Sequence, residues 1–171
     1  TDVYRVMAGV SGVAGSWEWE AAVSNSQSKI KESTGNQVDA SVLAAAITNN
    51  TYNFLAPTTA QTDAIRIGTE RNSKSELTSA DAKASTTLTT LAGGPVGLAV
   101  GLDFRKEKIN DTPDAKIVAG KLLGTAASAT SGSRNVSAVY GELSLPISKA
   151  LEFQLAARGD HYSDFGSAVS P

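Results

Sequence analysis

Residues Val96–Arg105, VGLAVGLDFR, constrain the fold more than any other stretch of the chain. Val96, Leu98, Val100, Leu102 and Phe104 hold one parity, while Gly97, Ala99, Gly101, Asp103 and Arg105 hold the other. A strand turns alternate side chains to opposite faces, so this segment has one wholly apolar face and one small, then charged, face. Two further segments repeat the pattern. In Leu151–Tyr162, Leu151, Phe153, Leu155 and Ala157 alternate with Glu152, Gln154, Ala156, Arg158 and Asp160. In Ser16–Ser26, Trp17, Trp19, Ala21 and Val23 alternate with Glu18, Glu20, Ala22 and Ser24. Such alternation fits two homes: a half-buried sheet of a soluble domain, or a membrane barrel whose apolar face meets lipid.

Composition removes several function classes. The 171 residues carry a formal net charge of −2, with no basic patch of the kind that binds nucleic acid. The absence of cysteine excludes a disulfide framework and a thiolate metal site within the chain. A single histidine, His161, excludes a multi-histidine metal or catalytic centre. No run approaches the ~18 apolar residues that mark a transmembrane helix, a test to which barrel strands are invisible. The chain begins at Thr1 without a signal-peptide pattern and ends just after the turn-like Asp164-Phe165-Gly166-Ser167, and it reads as a piece of a longer protein.

The expected architecture is all-β: an antiparallel up-and-down meander of about six strands in three hairpins. The strands are placed at residues 3–13, 17–30, 75–91, 96–109, 135–145 and 151–162 of a partial barrel spanning 1–171. Short connectors around Gly15, Gly93-Gly94 and Pro146–Ala150 join each pair. Loops at 31–74 and 110–134 separate the pairs, and both exceed the ~12–15 residues that compact domains tolerate. The first loop carries one helix-like patch, Asp39–Ile47, with Asp39 as N-cap and Asn49-Asn50 as terminator. Connections therefore run short, long, short, long, short. In an up-and-down sheet this sorts the tight turns to one end and the long loops to the other, as outer-membrane barrels do. Trp17 and Trp19, just after the first short turn on the apolar parity, stand where an interfacial aromatic girdle belongs.

Three stretches carry a family resemblance: LAGGPVGLAVGLDFRKE (Leu91–Glu107), VSAVYGELSLPISKALEFQLAARGDHYSDFG (Val136–Gly166) and, more weakly, YRVMAGVSGVAGSWEWEAAVSNSQSKI (Tyr4–Ile30). With YNFLAP at Tyr52–Pro57, they resemble the barrel of a TonB-dependent outer-membrane receptor, in the expected order along the chain. Gly159 stands where the family more usually has an aromatic. The resemblance implies a barrel of about 22 strands with a plugged lumen. It also implies a bacterial outer-membrane location and lipid around the barrel. The implied partners are a plug domain, the remaining strands, TonB acting through an N-terminal part, and a small-molecule solute.

Other constellations carry less. Asp160-His161-Tyr162-Ser163-Asp164 holds the residue types of a triad, but adjacent strand residues point to opposite faces. Asp111 and Asp114 lack the spacing of a calcium loop, and Gly93-Gly94 opens no phosphate-binding helix. No catalytic, cofactor or metal residue is expected. The candidates for contact with solute or plug are the lumen-facing Asp103, Arg105, Glu142, Arg158 and Asp160. Without the resemblance, a passive porin or autotransporter-like barrel and a soluble β-rich adhesin share the strand pattern. With it, the expected function is the wall of an active-transport receptor for a scarce solute such as a ferric siderophore or oligosaccharide.

Overall fold

The computed structural model describes all residues, Thr1–Pro171. One sheet of seven antiparallel strands follows the chain order, each strand pairing with the next. The strands are β1 (Asp2–Ala14), β2 (Trp17–Val38), β3 (Arg66–Leu91), β4 (Gly94–Thr112), β5 (Thr130–Ser148), β6 (Leu151–Tyr162) and β7 (Gly166–Ser170). Three short helices interrupt the series: α1 (Ala40–Thr48), α2 (Thr59–Ile65) and α3 (Ala115–Val118). No helix is long and apolar enough to cross a membrane.

Two compact units are distinguishable. The larger comprises Val3–Gln27, Glu76–Lys108 and Ser133–Pro171 and holds the alternating strands. Its first tight turn uses Gly15 at φ +63°, a conformation that costs glycine nothing. Its second brings Gly93 against the carbonyl oxygens of Pro146 and Ser148, so closely that any β-carbon would overlap them. Pro146 and Ser148 flank a register shift in the β5–β6 pair. Proline is admitted there because a bulge near the strand end needs one ladder bond fewer.

The β5–β6 register fixes the two faces. Val139 pairs with Gly159, Leu143 with Leu155 and Leu145 with Phe153 on one side; Tyr140 pairs with Arg158 and Ala138 with Asp160 on the other. The apolar side is open: Val10, Val23, Leu102, Val139, Phe153 and Leu155 are all exposed. A soluble sandwich would cover this face; here it has no second layer. On β1 and β2, Trp19 lies over Gly12. The apolar register ends in a polar row, where Tyr4 Oη donates to Asn25 Oδ1 at 3.2 Å and Asn25 Nδ2 donates to Thr78 Oγ1 at 2.9 Å.

The smaller unit comprises Thr1–Asp2, Ser28–Ser75 and Ile109–Gly132. It is more ordered than the expected loops. β2 continues to Val38 and β3 begins at Arg66, so strand occupies both ends of the expected loop at 31–74. Likewise β4 reaches Thr112 and β5 starts at Thr130. These extensions are polar on both faces, which removes the alternation that marks a strand in sequence. Ile65, Ile117 and Leu122 form a small buried core beside the buried Asp39 and Thr69.

Asp39 organises that core. Its Oδ1 accepts from the backbone N–H groups of Ser41 (3.0 Å) and Val42 (3.3 Å), capping α1 as expected. Its own N–H donates to the carbonyl of Ile65 at 2.9 Å, and Lys116 Nζ approaches Oδ2 at 3.5 Å. One residue thereby ties α1 to the end of α2 and to α3. The α2 start is a capping box, with Thr58 and Gln61 satisfying each other's backbone N–H groups. The seventh strand is the other departure. Gly166–Ser170 pairs with β6, Asp160 opposite Ala168 and His161 opposite Ser167, so the expected six strands become seven. Five small residues offer no alternation to read.

Candidate functional site on the polar face of the sheet

The polar face of the larger unit carries a ladder of both charge signs. Along β4, Asp103, Arg105 and Glu107 stand at alternate positions; Arg105 Nε lies 3.4 Å from Asp103 Oδ1, and its Nη1 lies 3.9 Å from Glu107 Oε1. Arg134 Nε on β5 donates to Glu107 Oε2 at 2.7 Å. On β6, Arg158 Nη2 donates to Asp160 Oδ1 at 2.9 Å and Arg158 Nε to Oδ2 at 3.0 Å. Two tyrosines interleave with the cations. The Arg158 guanidinium lies 5.7 Å from the Tyr140 ring centroid and that of Arg134 5.9 Å from Tyr162, both within cation–π range. Tyr162 in turn stacks on Phe165 at 4.2 Å.

The five sequence candidates divide accordingly. Asp103, Arg105, Arg158 and Asp160 join the ladder, whereas Glu142 accepts from Gln154 nearer the β5–β6 turn, beside the 2.7 Å bond from Ser144 Oγ to Glu152. Asp103 and Arg105 are incompletely satisfied. Their 3.4 Å separation makes an ion pair, yet Asp103 Oδ1 and Arg105 Nε are buried and make no hydrogen bond. Such a pair is a place where a further polar group gains by arriving. Sequence reasoning passed over Glu107, Arg134, Tyr140 and Tyr162. Tyr140 was readable in principle, since it holds the polar parity of β5; Arg134 was hidden because it was placed in a loop.

Other singled-out residues resolve into structural roles. Asp111 accepts from Arg71 Nε at 2.9 Å, from Arg71 Nη2 and from Ser73 Oγ. The Arg71 hydrogen bond, followed by that from Ser73, holds the Asp111 carboxyl down from 3.8 to about 2. The Asp39 carboxyl is held below its ordinary value first by the Ser41 hydroxyl, against the opposing effect of burial. Asp114 caps α3 through the N–H of Lys116 at 2.9 Å. His161 Nδ1 sits 3.0 Å from Ser167 Oγ, while Asp160 belongs to the opposite register with Arg158, so the triad residue types do not converge. At the tip of the first loop, Tyr52 and Phe54 pack edge to face at 4.9 Å, and Leu55 is almost fully exposed.

An open apolar face and an ion-paired polar face together describe a barrel wall. The family profile described as TonB dependent receptor-like, beta-barrel matches residues 11–171. Comparison with curated proteins and with solved structures gave no match. The match covers nearly the whole chain, and the chain belongs to the TonB-dependent receptor β-barrel family of the bacterial outer membrane.

Proposed function

We propose that this segment is part of the wall of a plugged barrel of about 22 strands that imports a scarce solute, with energy delivered through TonB. The family is one of transport receptors and not of enzymes. The observation that carries the finer reading is the mixed-sign ladder with its incompletely satisfied Asp103 and Arg105. A plug of either local charge finds partners on such a wall. When the plug is displaced, water or a polar solute takes its place at similar cost, which suits an interface that forms and breaks repeatedly. The ordered smaller unit, with Tyr52, Phe54 and Leu55 presented at its surface, supports a capturing role for the external loops. A ferric siderophore and an oligosaccharide both suit a surface of exposed rings and polar side chains.

The test is solute accumulation by cells making the full-length receptor, with and without TonB. The proposal predicts that uptake stops when TonB is removed while surface binding persists. Uptake that continues undiminished without TonB would overturn it in favour of a passive pore.

A further inference from the structure

The helices of the smaller unit are too short to hold themselves. α1 has nine residues, α2 seven and α3 four, and isolated helices under about 12–15 residues are marginal in water. Their order comes from what they share. The buried apolar side chains of this unit are Ile65, which ends the connection between β2 and β3, and Ile117 and Leu122, which belong to the connection between β4 and β5. Neither connection builds this core alone.

The backbone makes the same junction. Asp39 and Leu122 stand opposite each other in an antiparallel bridge. The Ala40 N–H donates to the Lys121 carbonyl at 2.8 Å, and the Leu123 N–H donates to the Val38 carbonyl at 3.0 Å. The Asp39 N–H reaches the Ile65 carbonyl at 2.9 Å, and its carboxylate faces Lys116 Nζ at 3.5 Å. The Lys116 carbonyl accepts from the Lys121 N–H at 2.9 Å, which folds the chain after α3 back onto the bridge. The far end of the first connection is tied in likewise. Gln61 Nε2 donates to the Thr51 carbonyl at 2.7 Å, and the Thr51 N–H donates to the Ala46 carbonyl at 2.9 Å. Hydrogen bonds thus link Thr51, beside the Tyr52–Leu55 tip, through α1 and α2 to α3.

Opening either connection removes all the contacts of the junction, so the other then opens with nothing of it left to lose. We propose that residues 38–65 and 114–123 open and close as one cooperative body, so that whatever grips the Tyr52–Leu55 tip also holds α3. Such coupling is reciprocal: a contact at α3 that favours the closed form orders the tip equally. The inference stands on these bonds and this core, and is independent of what the receptor imports and of TonB.

The experiment is native-state hydrogen exchange of the detergent-purified full-length receptor, read by mass spectrometry at urea concentrations below unfolding. In the unaltered receptor, the slow amides of α1, α2 and residues 116–123 should converge on one opening equilibrium with one urea dependence. Leu122→Ala should speed exchange at least tenfold, by the same factor in α1 and α2 as in α3. Gln61→Ala removes hydrogen bonds that all lie within the first connection, yet should speed exchange in α3 by the same factor as in α2. Leu123→Ala truncates the exposed side chain next to Leu122 and should leave all three helices unchanged. The proposal is overturned if the two connections of the unaltered receptor show separate urea dependences, an arm that needs no substitution to fold. It is also overturned if Gln61→Ala acts only within residues 38–65, if Leu122→Ala acts only within 114–123, or if Leu123→Ala acts as strongly as Leu122→Ala.

Discussion

The ring of Tyr140 fills the space in which any side chain at Gly101 would stand: a β-carbon built on Gly101 overlaps the ring. The same arrangement recurs on the other side of the sheet, where the Trp19 indole covers Gly12, 3.0 Å from the position a β-carbon would take. An aromatic ring laid across a strand glycine recovers the contact that the missing side chain gives up and pins the pairing register. Tyr140 also receives the Arg158 guanidinium, so Gly101 indirectly positions the charge ladder.

Gly101→Ala should therefore destabilise the barrel by about 1–3 kcal/mol, the usual cost of overpacking. It should also release Arg158 from the Tyr140 face. Unfolding of the full-length receptor in urea, followed by heat-modifiable gel migration, measures the loss. Tyr140→Ala placed in the Gly101→Ala background should recover part of it. Equal losses in the single and double variants would show that the ring does not act through Gly101.

The wall was legible in the sequence to the extent that its two faces differ in chemistry. Val96–Arg105 and Leu151–Tyr162 alternate because one face is apolar and the other small or charged, and the structure keeps both parities. β2 beyond Ile30 and β3 before Ser75 carry polar residues on both faces, so strand there left no periodic trace. The capping signals were local and readable: Asp39 was found by its type and position, and Thr58 with Gln61 could have been found by the same rule. The ion-pair partners of the ladder depend on cross-strand register, which no single strand encodes. Arg134 with Glu107 is the clearest case, 27 residues apart in the chain.

Asp39 has two separable roles, and two substitutions distinguish them. Asp39→Asn keeps a capping oxygen for the Ser41 and Val42 N–H groups but loses the charge facing Lys116. Asp39→Ala loses both. Limited proteolysis of the intact receptor should cut within residues 40–65 only slightly faster in Asp39→Asn and at least several-fold faster in Asp39→Ala. Indistinguishable cleavage rates in the two variants would assign the ordering to the Lys116 ion pair instead of the cap.

The smaller unit should also be sensitive to acid within a defined window. The folded Asp111 carboxyl titrates near 2, below its ordinary 3.8, because Arg71 and Ser73 hydrogen bond to its charged form. A depressed carboxyl stabilises the fold fully above its unfolded value and loses that contribution as pH falls through the folded one. Hydrogen exchange at the backbone of residues 66–75 and 109–114 should stay slow down to about pH 4, after correction for the intrinsic rate, and accelerate between about pH 4 and 2. Asp111→Asn should be equally fast at both ends of that window. Acceleration already complete at pH 5 would contradict the assignment.

Charge placed on the two parities of β4 should have opposite consequences. Leu102→Arg puts a guanidinium on the apolar face and should cost about 2–4 kcal/mol near the bilayer midplane. Ala99→Arg puts it on the polar face, whose neighbours include Glu142 and Ser144, and should fold and insert nearly as the unaltered receptor does. Insertion yield into vesicles reads the difference.

The most direct test of the wall assignment is a single-cysteine scan of residues 97–105 in the full-length receptor in its membrane. The chain's 171 residues contain no cysteine of their own, so within them each introduced cysteine reports alone. Bimane attached at 98, 100, 102 and 104 should be quenched by brominated lipid, while cysteines at 97, 99, 103 and 105 should be shielded from that quencher; Gly101 is left out because a side chain there overlaps the Tyr140 ring. A period of two in lipid contact, with its maxima at the even positions, is the predicted result. Uniform quenching, or maxima at the odd positions, would contradict the assignment of Leu98, Val100, Leu102 and Phe104 to the lipid side.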